Sequence, residues 1–272
     1  MVAINPNGTL RGKTALVTGA SRGIGEAIAV RLAMEGARVV VSARTAEAGE
    51  SKLPGTLAAT VERIRAAGGE ATAVKADLSS ETDRERLVAA AVEAYGDVDI
   101  LVNDAAVTFL IPVETFPKKR FDLMMEIQVW APMHLSQLVL PGMRRKRAGA
   151  IVNISSGAGI HPKPPYARRG GGTVYGMCKA ALERFTTGLA SEVHDDNISV
   201  NVVSPGLVDT PGVAIHGLIT EATRDRVQPI KYIAEAVYQL AAGDPKTMTG
   251  QIEYAAEFLQ RIAVEPSELV GA

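Results

Sequence analysis

The stretch Thr18-Gly19-Ala20-Ser21-Arg22-Gly23-Ile24-Gly25 decides the fold, because it joins a short apolar strand to a helix that is predicted to open at Glu26. Its three glycines allow a tight turn, a close approach of the backbone to a pyrophosphate, and close packing of the helix on the strand. The helix N-terminus that follows offers free N–H groups to the anion. The residues predicted to bind a dinucleotide here are Gly19, Ser21, Arg22, Gly23, Ile24 and Gly25.

Short, largely apolar strands alternate with helices along the whole sequence, as expected when both faces of a sheet are covered. The predicted strands are Ala15–Val17, Arg38–Val41, Ala71–Lys75, Ile100–Val102, Ala150–Ile154, Ser199–Val203 and Gln251–Tyr254. The clearest helix between them is Glu81–Tyr95, whose apolar residues share one face. This order predicts an α/β fold with a doubly wound (Rossmann) seven-stranded parallel sheet, helices on both faces, in a single domain over residues 1–272. Ligands of such sheets bind beyond the carboxyl ends of the strands.

Composition limits the possible partners. A net charge of −1 gives no field that favours nucleic acid, and the basic run at residues 144–147 is interpreted as a solvated helix end. No apolar run approaches the ~20 residues that span a bilayer, so no membrane association is expected. A lone cysteine, Cys178, and a start unlike a secretion signal favour the cytoplasm. The four histidines lack paired spacing with cysteines or carboxylates, and no metal is expected.

The end of the second strand favours NADP(H) over NAD(H) as the cofactor. An NAD site usually offers a carboxylate there to the ribose 2′-OH, whereas this sequence has Arg44, with Arg22 as a second cation in the glycine turn. Guanidinium groups suit a 2′-phosphate. Asp77 and Leu78 follow the third strand on the side expected for adenine, where Asp77 is predicted either to accept from the adenine amine or to cap the next helix.

Tyr175 and Lys179 lie four residues apart on a predicted helix and therefore share a face. An isolated tyrosine has a pKa of about 10 and is a poor base at neutral pH. A nearby ammonium favours the phenolate, which brings such a tyrosine into the range of general acid–base catalysis.

Several motifs in this order resemble the short-chain dehydrogenase/reductase family over nearly the whole chain. They are the glycine turn, Asn103-x-Ala105, Ser155-Ser156, Tyr175-x-x-x-Lys179 and Ser204-Pro205-Gly206. The resemblance implies that Tyr175 exchanges a proton with the substrate carbonyl or hydroxyl, that Lys179 also holds the nicotinamide ribose, and that Ser156 hydrogen-bonds the reacting oxygen. It adds cofactor contacts at Asn103, Ala105, Tyr175, Lys179, Pro205, Gly206 and Val208. The segments Lys52–Thr56 and Ala66–Gly69 are similar to a narrower group, the hydroxysteroid-dehydrogenase-like and citronellol/citronellal-type proteins.

The sequence departs from the family pattern at three places. Asp104 and Ala106 replace the usual second asparagine and the glycine, and are expected near the nicotinamide side. Gln128 aligns with the asparagine of the family's proton relay and is assigned a catalytic role on that ground. Two interpretations stay open: its amide preserves the relay, or the side chain only packs at this position. Pro132 is expected to kink the helix that carries it. The loop before Tyr175 is long. It carries a second tyrosine, Tyr166, which lacks a lysine four residues later, and two arginines, Arg168 and Arg169.

The leading hypothesis is interconversion of a carbonyl and an alcohol on a fairly apolar small molecule. Two alternatives stay open: a catalytically weak NADP(H)-binding sensor or scaffold, which Gln128 and Asp104 favour, and a reductase of an acyl-CoA-linked substrate, which the loop arginines favour. Apolar residues after position 210 either line the pocket or, as the simpler interpretation, belong to the core; they are Val213, Ile215, Leu218 and Ile219. The helices predicted at Lys118–Leu140 and Thr173–His194 are natural assembly faces, and the resemblance implies a homo-oligomer, a dimer or tetramer.

Overall fold

The computed structural model describes residues 4–5, 7–166 and 170–271. Within these residues seven parallel strands form one sheet in the order β3-β2-β1-β4-β5-β6-β9. The strands of this sheet are β1 (Thr14–Thr18), β2 (Arg38–Ala43), β3 (Glu70–Lys75), β4 (Ile100–Asn103), β5 (Gly149–Ile154), β6 (Ile198–Ser204) and β9 (Ile252–Tyr254). A separate parallel pair is formed by β7 (Leu207–Val208) and β8 (Val227–Gln228). The predicted doubly wound sheet is confirmed.

Helices cover both faces of the sheet. They are α1 (Gly23–Met34), α2 (Leu57–Ala66), α3 (Glu81–Tyr95), α4 (Lys118–Met125), α5 (Ala131–Lys146), α6 (Thr173–Glu192), α7 (Pro211–Ala214), α8 (Ile230–Ala242) and α9 (Ala255–Arg261). Alternate strand residues face opposite layers, since Val39 and Val41 pack with α1, α2 and α8, whereas Val40 packs with α3 and α5. The near-continuous apolar strands of the sequence are therefore buried on both sides.

Two predicted helices need correction. Helix α1 begins at Gly23 rather than at Glu26, so the last two glycines of the turn belong to its first turn. The predicted helix Lys118–Leu140 continues to Lys146, and Glu126–Trp130 within it form a π-helical turn. Pro132 has no N–H for the Gln128 carbonyl, and the Ala131 N–H bonds to the Glu126 carbonyl, five residues back. The irregularity thus lies just before the proline.

Two surface features bear on possible partners. The basic run ends α5, where Arg144, Arg145 and Lys146 pair with Asp196, Asp97 and Asp99, so its interpretation as a solvated helix end holds. None of the helices in the described ranges is long and apolar enough to cross a membrane.

Candidate active site

The glycine turn follows β1 at the carboxyl edge of the sheet. Gly19 and Gly23 have φ angles of 71° and 58°, a backbone region that L side chains rarely adopt. Arg22 stands at the N-cap position of α1, and in the described part of the chain no side-chain hydrogen bond caps this helix. The first N–H groups of α1 are therefore free of side-chain caps apart from that of Gly25, which faces Asp104, and the turn fits the pyrophosphate of a dinucleotide.

The loop after β4 packs directly on this turn. A Cβ at Gly19 would lie 2.9 Å from the Ala105 nitrogen, so only glycine permits the contact. Thr18 holds the loop in place, because its Oγ1 accepts from the N–H groups of Asp104 and Ala105 at 3.1 and 3.2 Å. The structure thus brings the predicted cofactor residues Gly19 and Ala105 together.

Thr210 is a site residue that the sequence reasoning missed. Its Cβ lies 3.3 Å from the position that a Cβ at Gly23 would take, so it sits against the glycine turn. Thr210 also caps α7 by accepting from the Val213 N–H at 3.2 Å. A threonine directly before a proline is a helix-start signal, which could have identified the cap but not the contact with the distant turn. The predicted contacts Pro205, Gly206 and Val208 precede it, and Val208 is buried.

Arg22 and Arg44 meet at the end of β2. The Arg22 guanidinium donates to the Ser51 hydroxyl at 3.3 Å and to the Gly55 carbonyl at 2.9 Å, which holds it over the turn. Burial and the positive charge of Arg44 lower the pKa of Arg22. Arg44 is exposed. Two cations therefore lie near each other beside the turn.

Asp77 and Leu78 follow β3. Of the two roles predicted for Asp77, the structure tests the helix cap. Its carboxylate accepts from the Ser79 N–H and hydroxyl at 3.0 and 2.8 Å, whereas Ser80 caps α3. The helix-cap interpretation of Asp77 is therefore wrong. Leu78 is buried in the layer beneath.

We call the carboxyl edge of the sheet between the ends of β2 and β5 the cofactor cleft. Tyr175 and Lys179, on α6, and Ser156, after β5, lie at its β5 end. Lys179 Nζ donates to the Ile154 carbonyl at 2.8 Å and lies 5.7 Å from the centroid of the Tyr175 ring. A Cβ at Gly176 would lie 2.6 Å from the Ala158 carbonyl, so this glycine lets the segment after Ser156 reach α6. The backbone thus brings the predicted serine and tyrosine segments side by side.

Buried polar side chains fix this end of the cleft. Asn103 donates to Asn153 at 2.8 Å, and Asn153 donates to Thr186 at 2.9 Å, which ties β4, β5 and α6 together. The hydroxyl of Ser155, the residue before the predicted catalytic serine, donates to Glu183 at 2.5 Å. These partners were not identified from the sequence, because they come from three separate elements.

Gln128 is buried inside the π-helical turn and donates through Nε2 to the Val107 carbonyl at 2.8 Å. Its Oε1 has no partner among the residues with described side chains. The contact holds the loop after β4 against the helix. Its predicted catalytic role therefore stays a prediction, and the structure adds a packing role beside it.

An apolar cluster surrounds Tyr175. Its buried members are Met124, Val174 and Cys178, and its partly buried members are Val107, Phe109, Phe116, Phe121, Met125, Val129 and Tyr175 itself. Burial raises the pKa of the Cys178 thiol, which keeps it neutral. One side of the tyrosine is thus covered by apolar side chains.

The apolar residues after Thr210 are not core. Ile215 and Leu218 are 63% and 42% exposed, and Val213 and Ile219 are half-buried. The interpretation as buried core is wrong, because the short α7 leaves this segment on the surface. Tyr166 is also exposed, and Arg168 and Arg169 lie outside the described residues.

One cluster in the described ranges has the spacing of metal ligands: Glu81, Glu85 and His134. The Arg84 Nε donates to His134 Nδ1 at 3.0 Å. A neutral imidazole that accepts at Nδ1 carries its proton on Nε2, which leaves neither nitrogen free for a metal. The cluster therefore gives no support for a metal site.

Asp104, which is expected on the nicotinamide side, packs against the glycine turn and lies within range of the charge of Lys179. Its Oδ2 lies under the glycine turn, 3.0 Å from the position of a Cβ at Gly19 and 2.7 Å from that of one at Gly25. The carboxylate therefore belongs to the pyrophosphate part of the site.

Comparisons with known proteins agree with this geometry. A family model described as short chain dehydrogenase matches residues 13–216. An uncharacterized oxidoreductase of Methylorubrum extorquens is 36% identical over 89% of this chain and 96% of its own length. The bovine hydroxysteroid dehydrogenase-like protein 2 is 33% identical over 90% of this chain, which spans only 57% of that longer protein.

Solved structures show the same fold. A short chain dehydrogenase of Mycobacterium thermoresistibile has a TM-score of 0.81 at 34% identity, covering 94% of this chain and 89% of that one. A 3-oxoacyl (acyl-carrier-protein) reductase of Agrobacterium tumefaciens with NADP bound has a TM-score of 0.77 at 30% identity, covering 90% and 93%. This protein belongs to the short chain dehydrogenase family and is an oxidoreductase.

Proposed function

We propose that this enzyme prefers NADP(H) over NAD(H) and interconverts a carbonyl and an alcohol on a fairly apolar small molecule. The observation that carries the cofactor preference is the pair Arg22 and Arg44 at the end of β2, close enough for Arg44 to lower the pKa of Arg22. A 2′-phosphate placed between the two guanidinium groups relieves their mutual repulsion and accepts hydrogen bonds from both.

The proton of the reaction is assigned to the Tyr175 hydroxyl. A bound nicotinamide supplies or accepts the hydride. Lys179 is held by the Ile154 carbonyl, with its Nζ 5.7 Å from the centroid of the Tyr175 ring. Ser156 is assigned to hold the substrate oxygen, and its side chain is otherwise bonded to the Ala158 N–H at 3.2 Å. The apolar cluster excludes water from this proton transfer and favours an apolar substrate.

Arg44→Ala tests the cofactor preference. Loss of charge-assisted hydrogen bonds is expected to weaken NADPH binding about 10- to 100-fold and to leave NADH binding nearly unchanged, measured by fluorescence titration. Arg145→Ala is the matched control, because Arg145 pairs with Asp97 at the opposite end of the sheet. An unchanged NADPH affinity in Arg44→Ala would mean that this enzyme does not select NADP(H) through Arg44.

The two alternative functions depend on other parts of the chain. A CoA-linked substrate was favoured by Arg168 and Arg169, which lie outside the described residues. A sensor or scaffold was favoured by Gln128 and Asp104. Against the sensor, Lys179 lies against the Tyr175 ring, the segment after Ser156 reaches the same helix at Gly176, and apolar side chains pack beside the tyrosine.

We also propose that the protein is a homo-oligomer through α5 and α6. The outer faces of these helices line a groove whose apolar members include Met133, Leu140 and Phe185, with Arg184 and Glu192 at its polar side. Met133 and Met177 are exposed, as is Trp130, which stacks on His134. The groove follows the two helices predicted as assembly faces.

A further inference from the structure

Asp104 is an acidic group inside the cofactor site for which the proposed reaction has no use. Its position is fixed from two sides. Its own N–H donates to Thr18 Oγ1 at 3.1 Å, and its Oδ2 lies between the first and last glycines of the turn. The segment therefore cannot move away from the turn without breaking the link to β1.

The carboxylate lies where the turn offers its positive end. The Gly25 N–H faces Asp104, and Gly25 is the third residue of α1. Asp104 thus takes one of the free N–H groups at the helix N-terminus, the same group of donors that a pyrophosphate requires. An ionised carboxylate and a pyrophosphate placed here are like charges a few ångströms apart.

Few charges oppose this repulsion. Among the described residues the positive group that acts on Asp104 is Lys179 of α6. Arg22 on the turn is directed to Ser51 and Gly55, and Glu26 at the start of α1 pairs with Arg63. Desolvation outweighs Lys179 and raises the pKa of Asp104 to about 7, so its charge changes near neutral pH.

We propose that Asp104 makes cofactor binding proton-linked: the neutral carboxyl admits the dinucleotide pyrophosphate beside it, and the ionised carboxylate repels it. This inference rests on the proposed function, because it requires a dinucleotide on the glycine turn. When a cofactor binds above neutral pH, one proton passes from the solvent to Asp104. Cofactor binding and protonation then strengthen each other to the same extent.

The sign of the pH dependence follows. Asp104 is neutral at acid pH and ionised above its pKa, so NADP⁺ affinity falls as pH rises through neutrality. Uptake of most of one proton at about pH 8 requires that the bound cofactor raise the pKa of Asp104 by about two units, so we expect binding to weaken about 20-fold between about pH 6.5 and about pH 8.5. Asp104→Asn keeps the shape and removes the titration, so its affinity is expected to stay nearly level and to exceed that of the wild type at the alkaline end.

Calorimetric titration with NADP⁺ at about pH 8, in buffers of different ionisation enthalpy, counts the protons taken up on binding. The 2′-phosphate has a pKa of about 6 and contributes little at this pH. We expect the wild type to take up most of one proton and Asp104→Asn close to none. If Asp104→Asn folds poorly, the proton uptake of the wild type on NADP⁺ binding tests the inference by itself.

Asp209→Asn is the matched control, because Asp209 is an exposed carboxylate directly before Thr210 at the same edge of the sheet. It is expected to keep the wild-type pH dependence. Equal pH slopes in the wild type and Asp104→Asn, or no proton uptake by the wild type, would overturn this inference alone. Failure of NADP⁺ to bind at any pH would overturn the proposed function.

Discussion

The two ends of the cofactor cleft are held in place by different means. At the reaction end, Lys179 and Asn103 are almost completely buried, and each is hydrogen-bonded to β5. At the adenosine end, Arg44 is exposed, and Arg22 is held by two loop residues that belong to no strand or helix. One end is part of the folded core, and the other is attached to its surface.

The difference separates two properties of the enzyme. Groups at the reaction end share hydrogen bonds with the strands, so changing them alters both the chemistry and the stability of the fold. The cations at the adenosine end contribute charge but little packing, and exposed side chains of this kind usually change stability by less than about 0.5 kcal/mol. Cofactor preference can therefore change without loss of the fold.

The largest effect is expected from Tyr175→Phe. The substitution removes the proton-transferring hydroxyl and keeps the ring in its apolar surroundings, so kcat should fall about 1,000-fold while NADPH affinity changes less than about 3-fold. The assay is steady-state turnover on a panel of ketones, aldehydes and alcohols, with NADPH binding followed separately.

Tyr166→Phe supplies the control, because Tyr166 is 76% exposed and four residues before a glycine rather than a lysine. It should turn over at the wild-type rate. If the wild-type rate on the panel were low and independent of Tyr175, the cleft would serve binding rather than catalysis, as the sensor hypothesis requires.

The next effect concerns stability and contrasts the two ends directly. Asn153→Ala leaves Asn103 and Thr186 without their buried partners, so the free energy of unfolding should fall by about 2–4 kcal/mol. Arg44→Ala should lower it by less than about 0.5 kcal/mol. Urea unfolding of both variants measures the contrast, and equal losses would show that the adenosine end is as much a part of the core as the reaction end.

The sequence predicts the sheet and most of the cleft because these depend on local signals. Apolar strands and the glycine spacing identify β1 and its turn, and strand order then places Arg44, Asp77, Asn103 and Ser156 at one edge. The same argument from strand order predicts that Arg22, in the turn after β1, and Arg44, after β2, lie near each other. Local pattern therefore identifies the edge of the sheet at which a residue lies wherever that residue directly follows a strand.

Residues whose neighbours come from distant parts of the chain could not be placed this way. Thr210 reads as a helix cap, and only the folded chain sets it against Gly23. Asp104 is expected on the nicotinamide side from its place after β4, and only the folded chain shows that the Thr18 hydroxyl holds its segment under the glycine turn. Core was the simpler of the two interpretations of Ile215, and it is wrong because α7 is too short to carry this residue inside.

Ile215→Ser is expected to give the smallest effect, and it extends the comparison to the mouth of the cleft. Ile215 follows α7, whose cap Thr210 touches the glycine turn, so its exposed side chain is available to an apolar substrate. Losing part of an apolar contact costs about 1 kcal/mol, which raises KM about 3- to 5-fold with kcat and the melting temperature nearly unchanged. Val92→Ser, an exposed apolar site on α3, should leave KM unchanged. A fall in stability with Ile215→Ser would instead mean that this segment packs against the protein in solution, and that it contributes to the fold rather than to substrate binding.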